Sequence, residues 1–198
     1  MESSILISVA MFATAMTFSP GPNTILLTTS GAMYGFSKSV NTMMGITCGI
    51  TLLVLAVGLG LGAIFSANPM FQILIRIAGV IYILWLAIKI VRSNSVLDAK
   101  IGQPITFIEA AFFQVVNPKV WMMAIGVHSA FAVTGHDFIK QAFFIAAVFL
   151  LVCIPATTVW TVFGVAIRHA LRSERAMRLF RIGMAAILIA SLVPAILV

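Results

Sequence analysis

The chain has 198 residues, 62% of them hydrophobic and only 9% charged, with a mean hydropathy of +1.15. Soluble domains carry about 25% charged residues, so the composition excludes a water-soluble globular fold and predicts an all-α polytopic membrane protein. The net charge of +7 does not signal nucleic acid, because the basic residues cluster between apolar runs, where membrane orientation accounts for them.

The N-terminal stretch has no basic n-region and leads into prolines rather than a small-residue cleavage site. It reads as a retained first span. Six apolar runs of span length occur, near 4–27, 40–65, 70–91, 107–133, 138–167 and 177–197. The connections are short, so 1–198 reads as a single membrane domain.

In the first span, Ser19-Pro20-Gly21-Pro22-Asn23 separates the apolar runs 5–18 and 24–27. Proline lacks an N–H and clashes with the preceding turn, and glycine adds backbone freedom. The flanks still read as one crossing, so a helix broken near mid-depth is expected. Backbone freed there must line a polar cavity or be covered by protein, and broken helices commonly build solute sites. Thr14, Thr17, Thr24 and Thr28 share a face if helical phase persists across the break. Their hydroxyls either meet a polar solute or bond a carbonyl one turn back or a neighbouring helix. Asn23 opens the second half-helix, where its side chain can cap free N–H groups. The same positive end suits a carboxylate, so cap and solute ligand are both open readings.

The second span places Ser37, Asn41, Gly45 and Gly49 at four-residue spacing. Small residues so spaced let helices approach closely, either within the chain or across a homodimer. Gly58, Gly60 and Gly62 predict a pliable outer end. In the third span Arg76, Tyr82 and Trp85 read as interface anchors, with an outer vestibule as the other place for Arg76.

The fourth span carries a second break, Asn117-Pro118-Lys119. Gln114, Trp121 and His128 recur at seven-residue spacing and are expected on one face. Ionisable groups within a membrane are costly and usually functional. Lys119 is therefore the leading candidate to meet a carboxylate, against snorkelling to an interface. Glu109 is the acid placed well within a span, a candidate for proton coupling against plain interfacial solvation. His128 reads as an interface or packing residue.

Cys48 and Cys153 fall inside apolar spans without CxxC or Cys/His spacing, so they read as buried thiols, with no disulfide framework and no metal. HExxH and GxSxG do not occur, and His128, His136 and His169 are scattered, so no catalytic residue or cofactor is assigned. Nor is there the repeated filter sequence that a channel shows.

With six spans, the loops after spans one, three and five share a side. They hold Lys38, then Lys89, Arg92 and Lys100, then Arg168, Arg172, Arg175, Arg178 and Arg181. The other face has Arg76 and Lys140 near span ends, with acidic Glu2 and Asp137. The positive-inside rule places the basic loops in the cytoplasm and both termini outside. The same loops suit anionic lipid headgroups.

An ordered recurrence links the two halves. Pro20, Gly21, Pro22 and Asn23 precede Gly35 and Lys38; Asn117, Pro118 and Lys119 precede Gly135 and Lys140. Arg76 and Gly79 in span three match Arg181 and Gly183 in span six. Three spans per half turn the second copy upside down. The expected architecture is six transmembrane helices as two inverted three-helix repeats, about 1–97 and about 104–198, with helices one and four broken. Chance recurrence of Gly and Pro, frequent in membrane helices, is the rival account.

In order, Ser19-Pro20-Gly21-Pro22-Asn23, Gly35 with Gly45 and Gly49, Gly79-Val80-Ile81-Tyr82-Ile83-Leu84-Trp85-Leu86, and Asn117-Pro118-Lys119 resemble the motifs of the LysE superfamily. The resemblance is closest to its RhtB-type amino-acid exporters and covers nearly the whole chain. It implies export of amino acids or close derivatives across the bacterial inner membrane, driven by the proton gradient. One departure is His128-Ser129-Ala130-Phe131, where relatives often carry a Pro-Phe pair. A second is a second span without acids, its interior polar groups being mainly Thr47 and Thr51. That disfavours a dibasic substrate and favours a small neutral one, such as cysteine, threonine, homoserine or a branched-chain amino acid. The alternatives are a basic or branched-chain amino-acid exporter, a channel or an intramembrane enzyme. The expected substrate ligands are Thr17, Pro20, Gly21, Pro22, Asn23, Thr24, Gln114, Asn117, Pro118 and Lys119, with Glu109 for protons.

Overall fold

Prolines and glycines divide the helices of this chain. The computed structural model describes residues 3–92, 103–131, 138–171 and 173–192. Glu2, Lys100, Gly135, His136, Asp137 and Arg172, invoked above, lie outside them. Helix α1 (Ser3–Phe18) meets α2 (Pro22–Tyr34) at a 58° bend. The bend falls at the first proline cluster, as expected. Helix α3 (Phe36–Ala56) runs through a widened π segment (Val57–Leu61) into α4 (Gly62–Ala67). Helix α5 spans Pro69–Arg92. Helix α6 (Phe107–Val116) meets α7 (Pro118–Ala130) at a 65° bend, across Asn117. Helices α8 (Phe138–Ala170) and α9 (Glu174–Ala190) complete the fold, and no strand occurs among the described residues.

Phe36–Ala67, α5 and α8 are each long and apolar enough to cross a membrane, and counting each bent pair as one span gives up to five. The sixth expected span coincides with α9, which has 17 residues; residues after 192 lie outside the described set. The first bent pair runs to Tyr34, seven residues beyond the expected end. The polar run Thr28, Thr29 and Ser30 stays helical because it is buried. The Ser30 and Ser39 hydroxyls bond each other at 2.7 Å. The chain turns only at Gly35, whose φ of 82° favours glycine. Of the stretch expected to be pliable, Gly58 and Gly60 lie in the π segment, where the helix kinks at Gly60 (φ 117°), and Gly62 opens α4.

Helix α8, 33 residues or about 50 Å long, packs against α1, α2 and α3. Helix α3 also packs on α6, and α5 on α9. Glycines set the close crossings. A Cβ on Gly31 would run into the Thr161 carbonyl, and one on Gly164 into the Thr28 carbonyl, so α2 and α8 touch backbone to backbone. Gly45 and Gly49 do the same for α3 against Phe107, Ala110 and Ala111 of α6. The small-residue stripe is thus used within the chain; its other members, Ser37 and Asn41, are exposed. Gly49→Ala would place a methyl 2.7 Å from the Ala111 carbonyl and 2.6 Å from Gln114 Cγ. We expect it to cost about 1–3 kcal/mol, read as a lower Tm of the detergent-purified protein. Gly183→Ala, with open space around it, is the neutral control.

Large apolar side chains point outward where lipid would be: Met11 and Leu151 are each 68% exposed and Ile108 77%. Helix α9 buries one stripe, Met177, Arg181, Ala185 and Leu188, and exposes Arg175 and Arg178. Arg76 and Arg181 do not occupy equivalent settings. Arg76 is half-buried, whereas Arg181 is buried with its Nε unpartnered. The matching glycines differ too: Gly79 lies hard against the Val116 carbonyl at the second break, while Gly183 faces nothing.

Candidate functional site: the cavity between the two broken helices

Breaking a helix frees carbonyls, and buried carbonyls need donors. At the first break, Ser19 N–H still donates to Ala15 O (3.1 Å), and Ser19 Oγ donates to Met16 O (2.8 Å). The Ser19 carbonyl has no helical donor. It receives Lys119 Nζ at 2.8 Å, and the same ammonium reaches Ser19 Oγ at 2.7 Å and Pro20 O at 3.4 Å. The cation thus sits at the negative end of α1. Gly21 makes room for it, since a Cβ there would stand 3.0 Å from Lys119 Cδ and Nζ.

Helix α2 starts with Gly21 as its N-cap residue and Pro22 in its first turn. Thr24 Oγ1 accepts from Gly21 N–H and donates to Gly21 O, both at 2.8 Å. Of the two open readings of Asn23, the cap is therefore corrected. Asn23 lies two residues past that cap, and its amide turns across to Gln114. Asn23 Nδ2 donates to Gln114 Oε1 (2.8 Å), and Gln114 Nε2 donates back to Asn23 Oδ1 (3.1 Å). The cap reading holds instead for Asn117, whose Oδ1 accepts from Lys119 N–H at 3.1 Å. Trp121 Nε1 donates to Val115 O (2.7 Å), answering a carbonyl freed at the second break.

The fourth span also serves the π segment. His128 Nε2 lies 2.9 Å from Val54 O; a carbonyl only accepts, so Nε2 carries the proton. Gly58 leaves space for that ring. Gln114, Trp121 and His128 all turn toward α3–α4, but the 65° bend sends each to a different partner: Asn23, Phe65 and Val54. The two broken spans are thus joined by an ammonium and a reciprocal amide pair. For Asn23→Ala and Gln114→Ala, a double-mutant cycle in Tm or denaturant stability should give a coupling of about 0.5–2 kcal/mol. A coupling of zero would separate the pair energetically.

A cavity of about 440 Å³, part of it open, lies against both breaks. Thr17, Asn23, Thr24 and Lys119 line it, and these four come from the sequence-predicted set. Pro20, Gly21, Pro22, Gln114, Asn117 and Pro118 do not line it; they shape the breaks and hold the lining residues. The threonine face does not persist through the bend. Thr14 is exposed, and Thr28 turns to the Trp160 carbonyl at 3.4 Å. Thr17 donates to Ala13 O at 2.7 Å, so in the cavity its hydroxyl offers lone pairs rather than a proton. The apolar wall includes Met16, Leu27, Ile46, Ile50 and Met123. Helix α8 supplies a wall that the sequence reading missed: Cys153, Ala156, Thr157 and Trp160. Its signal was present, as Thr157, Thr158, Trp160 and Thr161 form a polar cluster inside an otherwise apolar run. Cys153 is a buried free thiol, whereas Cys48, also expected to be buried, is only half-buried.

Lys119 is the charged residue on this wall. Glu109 is elsewhere. Its Oε2 accepts from Thr106 N–H (2.8 Å), closing a capping box on α6. Its Oε1 pairs with Lys89 Nζ at 3.1 Å, with both side chains about a third exposed. Lys89 in turn stands 4.8 Å over the Trp85 ring and lines a second cavity of about 310 Å³ with Thr29, Ser30, Tyr34 and Gln103. Among the described residues, no group of three metal-ligating side chains comes together.

Long apolar helices and two sharply bent helix pairs, with polar groups gathered where the pairs bend, define a helical membrane protein of the translocator class. The chain belongs to the LysE type translocator family, whose model matches residues 14–193. It is 36% identical over 121 residues to the cysteine/O-acetylserine efflux proteins of Escherichia coli (strain K12), Shigella sonnei (strain Ss046) and Shigella flexneri. Each of these matches covers 60% of this chain and 60% of the relative. No solved structure matches the chain significantly.

Proposed function

We propose that this chain is a secondary exporter of small neutral amino acids or their derivatives, cysteine and O-acetylserine among them, and neither a channel nor an enzyme. The observation that carries the proposal is the shared cavity: residues from both broken helices, Lys119 included, face one space. The substrate carboxylate binds Lys119, displacing a Ser19 bond, beside the N-terminal end of α2. Asn23, Thr17 and Thr24 offer oxygens to the ammonium. Among the described residues no acid lines the cavity, which favours a substrate without a second positive charge. The names of the similar efflux proteins support the same substrate class.

The transport cycle in this proposal uses six spans in two inverted halves, about 1–97 and about 104–198, forming one domain. The packing supports that symmetry. The α1–α2 pair packs on α8 as the α6–α7 pair packs on α3. Helix α3 meets α8 and α5 meets α9, each a pair that the exchange of halves maps onto itself. Helix α2 also touches α9 where its counterpart α7 touches α5. Alternating access is then a rocking of the halves about the cavity. Both termini lie outside and the basic loops face the cytoplasm of a bacterial inner membrane. Protons drive export through Glu109; protonation would release Lys89 from the ion pair.

Cells over-expressing the chain should accumulate cysteine or O-acetylserine in the medium, and a pH gradient should drive efflux from proteoliposomes. An unchanged amino-acid profile in the medium would overturn the exporter reading. Efflux indifferent to pH would overturn proton coupling alone.

A further inference from the structure

Among the described residues, the buried polar side-chain atoms without a hydrogen-bond partner are Thr29 Oγ1, Thr51 Oγ1, Asn117 Nδ2, Trp160 Nε1 and Arg181 Nε. Trp160 alone of these residues lines the cavity between the breaks. An indole N–H is a strong donor and a poor thing to bury alone. Buried tryptophan N–H groups ordinarily find an acceptor, so this one calls for a partner that arrives with function.

The surroundings narrow the partner. Cys153, Ala156, Thr157 and Trp160 follow the i, i+3, i+4, i+7 spacing of one helical stripe, so α8 presents them together. Thr157 Oγ1 already donates to Ile154 O at 3.1 Å, leaving lone pairs. The Cys153 thiol is a weak donor. Trp160 is therefore the strong donor of the α8 wall. Its ring is held in place by Phe163, edge-on at 5.9 Å, and its carbonyl receives the Thr28 hydroxyl. A substrate carboxylate is drawn to the charge of Lys119, which leaves the α8 wall to the substrate's side chain.

We infer that Trp160 determines specificity, its indole N–H donating to an oxygen acceptor on the substrate side chain, such as an ester carbonyl. This rests on the exporter reading above. A side chain with an acceptor completes the hydrogen bond, whereas an aliphatic one of equal length leaves the N–H buried and unpartnered. Sites built around a polar partner discriminate strongly against analogues that lack it.

The test loads proteoliposomes with O-acetylserine and norleucine together and follows the efflux of both. Norleucine has a side chain of similar reach without an acceptor. Wild-type protein should favour O-acetylserine. Trp160→Phe should reduce O-acetylserine efflux about ten-fold while norleucine efflux stays within about two-fold. Trp160→His, which keeps a ring N–H, should retain the preference even if total flux falls. Norleucine efflux by the same variant is its folding control. Equal losses of both solutes, or an unchanged ratio in Trp160→Phe, in whichever variant inserts, would overturn the role of Trp160 and leave the exporter intact. A wild-type protein that moves neither solute would overturn both.

Discussion

Lys119→Met should abolish export, by about 100-fold or more, because two charge-assisted bonds worth about 1.5–3 kcal/mol each are lost together with the cavity's cation. Methionine keeps the stem in the space beside Gly21 but leaves the Ser19 carbonyl without its donor. A drop in Tm should therefore accompany the loss of flux. The two effects are separable. If Lys119 only tied the breaks together, a variant stable enough to insert would still bind and move substrate. If it also holds the carboxylate, the inserted Lys119→Met protein has no saturable efflux. Lys119→Arg should not rescue, since the longer planar guanidinium must fit where a single methyl on Gly21 would already lie 3.0 Å from the lysine.

Gly164→Ala should be the most damaging single methyl among the described glycines for stability. The new Cβ would run into the Thr28 carbonyl and stand 2.9 Å from Ala32 N. Both are backbone atoms of a buried helix and cannot swing away as a side chain would. The cost should reach about 3 kcal/mol, the upper end for overpacking, and appear as poor membrane insertion or a sharply lowered Tm. Function should fall for a second reason. Helix α2 carries Asn23, Thr24 and Leu27, and α8 carries the Cys153–Trp160 stripe, into the same cavity. Pushing the two apart widens the site. Gly31→Ala meets the reciprocal obstacle, the Thr161 carbonyl, and should behave alike.

These glycines mark what the sequence can and cannot say. Gly45 and Gly49 were legible as a contact stripe because four-residue spacing is a local property, but their partner, α6, was not. Both helix breaks were legible, since Pro and Gly act on their own backbone. The destination of Lys119 was legible only as a choice. A cation beside a break suggests an anion, yet the anionic end it meets first is the C-terminus of α1, in the other half of the chain. Of the two readings open for Asn23, the cap fails by two residues of register, because Gly21 is the N-cap and Pro22 follows it. The expected end of the first span near residue 27 falls short because Thr28, Thr29 and Ser30 are buried, and polarity marks a loop only when the residues face water. The α8 wall was missed because Thr157 and Trp160 acquire meaning only from what packs opposite them, more than 100 positions earlier in the chain. Glu109 was singled out for its charge, but its neighbours Thr106 and Lys89 engage it at the end of α6, away from the central cavity.

The central claim is that substrate occupies the cavity between the breaks, and the two native cysteines allow a direct measurement. Cys153 lines that cavity and Cys48 does not. In reconstituted Cys48→Ala protein, a small methanethiosulfonate reagent reaches Cys153 whenever the cavity opens. Saturating O-acetylserine should slow that labelling severalfold while leaving the labelling of Cys48 in the Cys153→Ala protein unchanged. Labelling of Cys153 at the same rate with and without substrate, in protein that exports it, would contradict the account.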